Sequence, residues 1–253
     1  MDAKVTAASQ FIASLELPVY ESLLRRSILG GAKPTLKDDQ KAGYVADGSL
    51  VSFVAGLAAT HKSDVLNSTL LAQLAANKKY DREKDTKEWY GFYRTVLENV
   101  GWVAQAFNFQ KYHASGSTFT VDKVVVEILA AIATENEIAV VTETMNALKA
   151  LSSGSGPLVL WDSSSHSASS GNFQIATCVE SDSNVVMKNG SFYFSTSQST
   201  SRFLWFSYSS SDMDLYKAGQ SMTLNEDVYS QVRQQVIDKL GDRAQQFVAD
   251  LDI

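Results

Sequence analysis

The sequence predicts an α+β fold, in which an N-terminal array of about six helices packs with a C-terminal antiparallel β-meander and a terminal α-helix. Up to Leu151, apolar residues recur every three or four positions, which is the period of an amphipathic helix. Beyond Pro157 they alternate with small or polar neighbours, as in a strand. Serine is sparse before Leu151 and dense from there to about Ser221, where charged residues become rare. The two portions therefore have different structures.

A Ser/Gly-rich stretch from Ser152 to Pro157 separates the two portions. Its composition is that of a flexible linker, and it closes on a proline, which cannot continue a helix. We expect a helical region over residues 1–151, and an antiparallel sheet with a C-terminal helix over residues 157–253. A sheet with one apolar face needs a cover, so the two regions are expected to form one compact unit.

The first region opens with two short predicted helices. The first carries an apolar stripe that consists of Val5, Ala8, Phe11, Ile12 and Leu15. The second is predicted to begin near Pro18, which suits a first helical turn, and to stop at Gly30-Gly31. Residues 31–48 lack a periodic apolar face and are predicted to be an exposed loop. Helical spacing resumes from Leu50 to Leu57.

Three longer segments complete the predicted helical array. Ser63 is expected to cap a helix that carries Val65 to Leu74. The strongest helical pattern in the chain runs from Trp89 to Phe107, and residues 108–120 are predicted to form a turn or short hairpin after it. The apolar run from Val121 to Leu148 follows.

That last run contains a helix-start signal in its middle. Thr134 and Glu137 match a capping box, in which the hydroxyl and the carboxylate each bind a backbone N–H at a helix start. The run is therefore predicted to be two helices with a break near Thr134. Core packing is the favoured role of this pair, and an amphipathic segment that inserts into a membrane is the alternative.

Alternating residues predict the strands of the second region. Leu158 and Leu160 begin the alternation and Phe173 to Val179 continue it. Asn189-Gly190 is predicted to form a two-residue turn between Val185–Lys188 and Ser191–Phe194, because both residues readily adopt positive φ.

The end of the chain is predicted to add further strands and the last helix. Arg202 to Tyr208 is an aromatic strand, and residues 214–217 and 221–224 are two short ones. Asn225 is expected to cap the terminal helix, whose apolar stripe extends past Gly241 to Leu251.

Composition excludes several classes of protein. The formal charge of −6 argues against a nucleic-acid partner, because such binding needs clustered Lys and Arg. A single cysteine, Cys178, allows no internal disulfide and is expected to be a buried apolar residue. No signal peptide or membrane-spanning stretch is recognisable, so we expect a soluble protein, either cytoplasmic or exported without a conventional signal.

No motif for a cofactor or a metal is present. The chain has neither a phosphate-binding loop nor a dinucleotide fingerprint, and its three histidines are far apart in sequence. Asp212 and Asp214 are the nearest approach to paired metal ligands, and a polar turn explains them better. We therefore expect no cofactor and no metal site.

One segment contains the three side-chain types of a hydrolytic triad. Asp162, Ser165 and His166 lie close together in sequence and are weak catalytic candidates. A working triad is assembled from distant segments, and no nucleophile elbow occurs in the chain. A Ser-rich loop is the favoured interpretation.

Aromatic residues on the predicted strands are the main functional signal. The candidate binding residues are Tyr193, Phe203, Trp205, Phe206 and Tyr208. Adjacent strand residues point to opposite faces, so an aromatic face would remain on a weakly charged sheet unless helices cover both sides. Such a face suits a protein, glycan or lipid-surface partner.

These observations favour a non-enzymatic binding or self-assembling protein, in the manner of a toxin-like component that acts at a target-cell surface or membrane. Homo-oligomer formation belongs to this hypothesis. A serine-dependent hydrolase and a structural scaffold protein are the two alternatives.

Overall fold

The computed structural model of the protein describes residues 3–19, 34–182 and 184–253. Within these residues the chain forms eight helices and one sheet of eight strands, so the predicted α+β class is confirmed. The helices are α1 (Ala3–Ser14), α2 (Ala59–Lys79), α3 (Thr86–Asn99), α4 (Val121–Ala130), α5 (Glu135–Ala150), α6 (Gly156–Ser165), α7 (Glu226–Leu240) and α8 (Arg243–Phe247). The strands are β1 (Ala42–Ala46), β2 (Ser49–Phe53), β3 (Trp102–Val103), β4 (Gln110–Lys111), β5 (Ser170–Ser181), β6 (Asn184–Thr196), β7 (Met213–Leu224) and β8 (Val248–Leu251).

The sheet is mixed rather than a purely antiparallel meander. Its strand order is β3-β7-β6-β5-β2-β1-β8, and β4 also pairs with β7. The strands β2 and β5 run parallel, and every other pairing among the described residues is antiparallel. The three long strands β5, β6 and β7 form its centre. Strands from both halves of the chain therefore share one sheet.

The prediction of an all-helical first region is wrong, because β1 and β2 come from residues predicted as loop and helix. All five residues of β2 are buried, including Ser49 and Ser52. A strand buried on both faces shows no apolar alternation, so period alone cannot identify it. The hairpin turn between the two strands contains Asp47, whose φ is 50°, followed by Gly48. An Asp-Gly pair is a recognised hairpin signal, because both residues readily adopt positive φ.

One strand and one turn predicted in the second region are also wrong. Leu158 and Leu160 lie in α6, where Pro157 occupies the first turn. Asn189-Gly190 lies inside β6, where both residues pair with β5 and with β7. The position requires glycine for a packing reason, because a Cβ on Gly190 would lie 2.8 Å from the Phe192 ring.

The strands between residue 202 and the end of the chain also differ from the prediction. Residues 202–208 form turns and one isolated bridge rather than a strand. The two short strands predicted at 214–217 and 221–224 are parts of β7, which is continuous. Residues 248–251 form strand β8 at the sheet edge instead of extending the last helix.

The helix starts predicted at Thr134 and at Asn225, which depend on local side-chain contacts, are confirmed. Thr134 and Glu137 form the predicted capping box at the start of α5. The Asn225 side chain accepts a hydrogen bond from the Val228 N–H at the start of α7. The predicted helix α1 is present, whereas the helix predicted between Pro18 and Gly30 falls largely outside the described residues.

Two helix boundaries differ from the sequence prediction. The N-cap of α2 is Ala58 rather than Ser63, and the Ala59 N–H donates to the Asp38 carboxylate at 2.6 Å. Helix α3 ends at Asn99, and Gly101 follows with a φ of 110°. The later apolar residues up to Phe107 therefore leave the helix, and part of this stretch enters the sheet as β3.

Helices cover both faces of the sheet. On one face, α5 packs on β1, β2 and β5, while α4 packs on β6 and β7. Helix α3 lies on the opposite face, where Tyr90 contacts the loop in front of β4. Tyr90 also donates to the Phe173 carbonyl at 3.2 Å. Little of the sheet surface is left for an exposed aromatic face.

Candidate functional site

The five predicted binding residues do not form one surface. Phe203 and Tyr208 are fully buried, Trp205 and Tyr193 are half-buried, and 41% of Phe206 is exposed. Burial removes Phe203 and Tyr208 from the surface on which the sequence analysis placed them.

Phe203 and Tyr208 contribute to the core. The Phe203 ring stacks on Trp161 with centroids 6.0 Å apart and contacts Phe173 at 5.0 Å. The Tyr208 hydroxyl donates to the Ser199 carbonyl at 3.0 Å. These rings stabilise the irregular segment that replaces the predicted strand.

Trp205 and Phe206 lie apart from Tyr193. The ammonium group of Lys149, at the end of α5, is 5.8 Å from the Trp205 ring centroid. The Phe206 ring contacts Tyr208 at 4.8 Å. Neither residue lines the cleft that contains Tyr193.

Tyr193 forms the wall of an aromatic cleft. It lies on β6 directly opposite Tyr216 of β7. The two rings are parallel, with centroids 4.6 Å apart and planes 5° from each other. Phe109 meets Tyr193 edge-on at 5.0 Å, and Phe107 stacks on Phe109 at 6.1 Å. Four half-buried rings from two strands and one loop therefore converge on one place.

The loop that carries Phe107 and Phe109 is attached to the sheet at both ends. Before it, β3 pairs with the end of β7, and after it β4 pairs with Tyr216 and Lys217. Within it, the Gln105 N–H donates to the Gln220 side-chain oxygen at 3.1 Å. Tyr90 of α3 packs on both phenylalanine rings, at 4.9 and 4.7 Å. These contacts hold the rings in place before any ligand arrives.

Charged residues before and within the first turn of α3 form the opposite wall. They are Glu83, Lys84, Lys87 and Glu88. Glu83 is positioned by two hydroxyl groups of the segment around the start of β5, since Ser167 donates to its carboxylate at 2.7 Å and Ser170 donates to the same oxygen. Lys84 pairs with Asp81 at 3.1 Å, with most of its side chain in solvent. The lining on this side thus contains two acidic and two basic side chains, of which Lys84 is already paired with Asp81.

The cleft between these walls has a volume of about 670 Å³. Its lining also includes Thr86, Asn108, Ser170, Phe194 and Ser195. Burial, followed by the neighbouring Tyr216, raises the pKa of Tyr193, so its hydroxyl keeps its proton at neutral pH. The site offers aromatic surface together with neutral hydroxyl and amide groups and one fixed carboxylate.

The weak catalytic candidates lie outside this cleft. Ser165 Oγ is 3.0 Å from His166 Nδ1, at the end of α6. Only 1% of Ser165 is exposed, so the hydroxyl is not presented to a substrate. Burial lowers the pKa of His166 to about 4, far from that of an effective base at neutral pH. Burial raises the pKa of Asp162, which the positive charge of Arg202 opposes.

Cys178 and Asp212, the other residues considered for chemistry, have the surroundings of structural residues. Cys178 is fully buried, and burial raises the pKa of its thiol. Asp212 accepts hydrogen bonds from Ser209 and Gln198, as in a polar turn. Across residues 3–19, 34–182 and 184–253, no three His, Cys, Asp or Glu side chains are grouped as metal ligands would be. None of the helices in these ranges combines the length and apolarity needed to cross a bilayer.

Most residues of the cleft carry no functional signal in the sequence. The helical period predicts Phe107 at the end of a helix, although Phe107 and Phe109 alternate around Asn108 as in an extended segment. Tyr216 was placed on a strand without a functional role. No local signal in the sequence indicates that Ser167 and Ser170 bind Glu83.

Comparison with known proteins gives little further information. No protein-family model matches the sequence, and no curated protein matches it significantly. A delta-endotoxin structure is 11% identical, over 71% of this chain and 84% of its own, with a TM-score of 0.38. The structure of the Evf virulence factor is 12% identical, over 90% of each chain, with a TM-score of 0.33. At these values the likeness carries no conclusion about fold or function.

Proposed function

We propose that this protein is a non-enzymatic binding protein and that the aromatic cleft is its ligand site. The observation that carries the proposal is the parallel Tyr193–Tyr216 pair in a cleft of about 670 Å³. Small-molecule sites are typically concave, rich in aromatic side chains and supplied with a few placed polar groups. This cleft has all three properties.

The fixed positions of the rings support a binding role. Phe107 and Phe109 are held between α3 and β7, so a ligand would not have to order them. Preorganised side chains reduce the entropy lost on binding. Aromatic rings also bury a large area with few rotatable bonds. The cleft is therefore suited to bind without rearrangement.

The hydrolase alternative has less geometric support. It requires an exposed nucleophile, whereas Ser165 is buried and His166 has a strongly lowered pKa. No described histidine or cysteine lines the aromatic cleft. If the protein nevertheless hydrolyses a substrate, Ser165→Ala is expected to leave that activity unchanged.

A ligand screen with matched variants tests the proposal. Thermal-shift and NMR measurements would cover glycans, short peptides, nucleosides and quaternary ammonium compounds. We expect hits that the Tyr216→Leu variant loses and the Tyr112→Leu variant keeps. Tyr112 is a suitable control because it is also half-buried, bonds to Glu127 at 3.3 Å and lies outside the cleft lining.

Both variants must first show cooperative unfolding. Phe109→Leu provides a second cleft variant if Tyr216→Leu does not fold. Hits that bind to the folded cleft variant as tightly as to the wild type would refute the assignment of the site.

A toxin-like role at a target-cell surface or membrane is the finer part of the proposal. It is supported by the serine-dense, charge-poor composition of residues 152–221 and by the aromatic site, to which Tyr193 and Tyr216 of that stretch contribute. Fluorescently labelled protein is expected to bind cells and to self-assemble there, as measured by cross-linking. Absence of cell binding, together with absence of liposome leakage at neutral and mildly acidic pH, would refute this part alone.

A further inference from the structure

From one edge of the sheet we infer that the protein forms a dimer in solution, in which residues 102–110 of two copies pair as antiparallel strands. These residues are called the edge segment below. The inference rests on the self-assembly included in the proposed function and adds the surface that mediates it. Three features carry it: the extended course of the segment beside β7, its unpaired backbone and its lack of charge.

The edge segment runs extended along β7. Strands β3 and β4, at its two ends, both pair with β7 on the same side of the sheet. Val103 lies opposite Thr223, and Gln110 lies opposite Lys217. From 103 to 110 the segment takes seven residue steps, and from 217 to 223 strand β7 takes six. The intervening residues are therefore nearly as extended as a strand.

Most of the backbone of the edge segment has no hydrogen-bond partner. At residues 104–109, between β3 and β4, the described part of the chain supplies a partner to one backbone group, the Gln105 N–H, which donates to Gln220. The other N–H and C=O groups of these residues are unpaired, and Gln105, Ala106 and Asn108 are exposed. A row of unpaired groups along an extended edge is a template for a further strand.

The usual protection of a sheet edge is missing here. Edge strands generally carry charged side chains or proline, which prevent pairing with another chain. Residues 102–110 contain neither. Val103 is 67% exposed, more than any other large apolar side chain that the structure describes. At the opposite edge, β8 carries the exposed Asp250, whose carboxylate accepts the Thr35 N–H at 3.0 Å.

The charge distribution favours a second copy as the occupant of this edge. Each chain has a formal charge of −6, so two copies repel each other over most of their surfaces. The uncharged edge segment allows the closest approach at the lowest electrostatic cost. A two-fold axis brings the same patch of both copies together, so the two segments pair antiparallel. With the axis at Ala106, the centre of the segment, Lys111 of one copy lies at the opposite end from Lys111 of the other.

The test is sedimentation velocity over a concentration series up to the millimolar range, with the full chain and three variants. We expect the wild type to change from monomer to dimer and to stop there, because each copy has one such edge. Ala106→Lys and Ala106→Glu each place two like charges at the axis and should weaken the dimer by about tenfold or more. An equimolar mixture of these two variants should restore it, because the charges are then opposite.

Ala150→Lys is the matched control. Ala150 is exposed at the end of α5, a helix that packs on β1, β2 and β5, away from this edge. This variant should stay within about twofold of the wild type. Hydrogen exchange provides a second readout: the amides of residues 104–109 should exchange rapidly in the monomer and become protected as the dimer forms.

Each contrary outcome has a defined consequence. A wild type that stays monomeric in the millimolar range, or that grows into longer assemblies, overturns the inference. A dimer that both folded Ala106 variants keep overturns this surface and leaves self-assembly standing. If the variants do not unfold cooperatively, unchanged exchange at residues 104–109 in the wild-type dimer overturns it instead. Ligand binding in the cleft is measured separately with Tyr216→Leu, so loss of the dimer does not refute the ligand site.

Discussion

The largely buried ring of His166 predicts an acid sensitivity that a single substitution removes. The ring contacts Phe203 at a centroid distance of 4.9 Å, and its Nδ1 lies 3.0 Å from the Ser165 hydroxyl. Burial lowers its pKa from 6.5 to about 4. Between these two pH values the unfolded chain binds a proton at this histidine and the folded chain does not. The free energy of unfolding therefore falls as the pH drops through this window.

The size of the effect follows from the pKa difference. One pKa unit corresponds to about 1.4 kcal/mol, so a difference of about 2.5 units gives a limit of about 3.4 kcal/mol. The ring is partly accessible to solvent, which reduces the expected loss to about 2 kcal/mol at pH 4. At neutral pH both states hold a neutral ring, and the contribution vanishes.

Urea unfolding of the wild type and of His166→Asn, at several pH values between neutral and about 4, measures this effect. Asparagine keeps a hydrogen-bonding group close to the position of Nδ1 and cannot be protonated. Carboxylates such as Glu137, whose pKa is lowered by Lys188 and Thr134 against the effect of burial, also destabilise the fold in acid. They do so equally in both proteins. The difference between the two proteins should therefore shrink or reverse below about pH 6. Parallel pH profiles would refute the argument.

Three further predictions concern stability, each measured by chemical denaturation. Lys188→Met removes the ammonium group that lies 2.7 Å from the Glu137 carboxylate, which is only 2% exposed, and it should lower the free energy of unfolding by about 3 to 5 kcal/mol. Adding Glu137→Gln to this variant should recover most of the loss. Gly171→Ala places a Cβ 2.5 Å from the Phe194 ring and 2.9 Å from the Ser165 carbonyl, and it should lower the free energy of unfolding by about 1 to 3 kcal/mol. Gly91→Ala lies at an exposed helix position with open space around it, and it should raise the free energy of unfolding by up to about 1 kcal/mol. Asn225→Ala removes the cap of α7 and should cost about 1 kcal/mol. Equal effects of the two glycine substitutions, no recovery in the double variant, or an unchanged Asn225→Ala protein would contradict the respective argument.

The sequence predicted the class of the fold and the helices that rely on contacts close in sequence. Thr134 and Glu137 are three residues apart, and Asn225 binds the N–H of Val228, so their signals lie within one helical turn. The strand character of Phe173 to Val179 was also predicted, because long alternating segments have a strong period. For the candidate site, the sequence identified Tyr193 and no other residue of the cleft wall.

What the sequence determined alone is thus the local part of the structure, namely helix caps and long periodic segments. Tertiary structure decided the rest. Strand β2 joins β5 from a distant part of the chain and is buried on both sides, which erases its alternation. Asn189-Gly190 would turn in isolation, but pairing with two neighbouring strands keeps it extended. The aromatic cleft exists because α3 and the loop of Phe109 cover most of the face that carries Tyr193, and only long-range packing can leave such a gap.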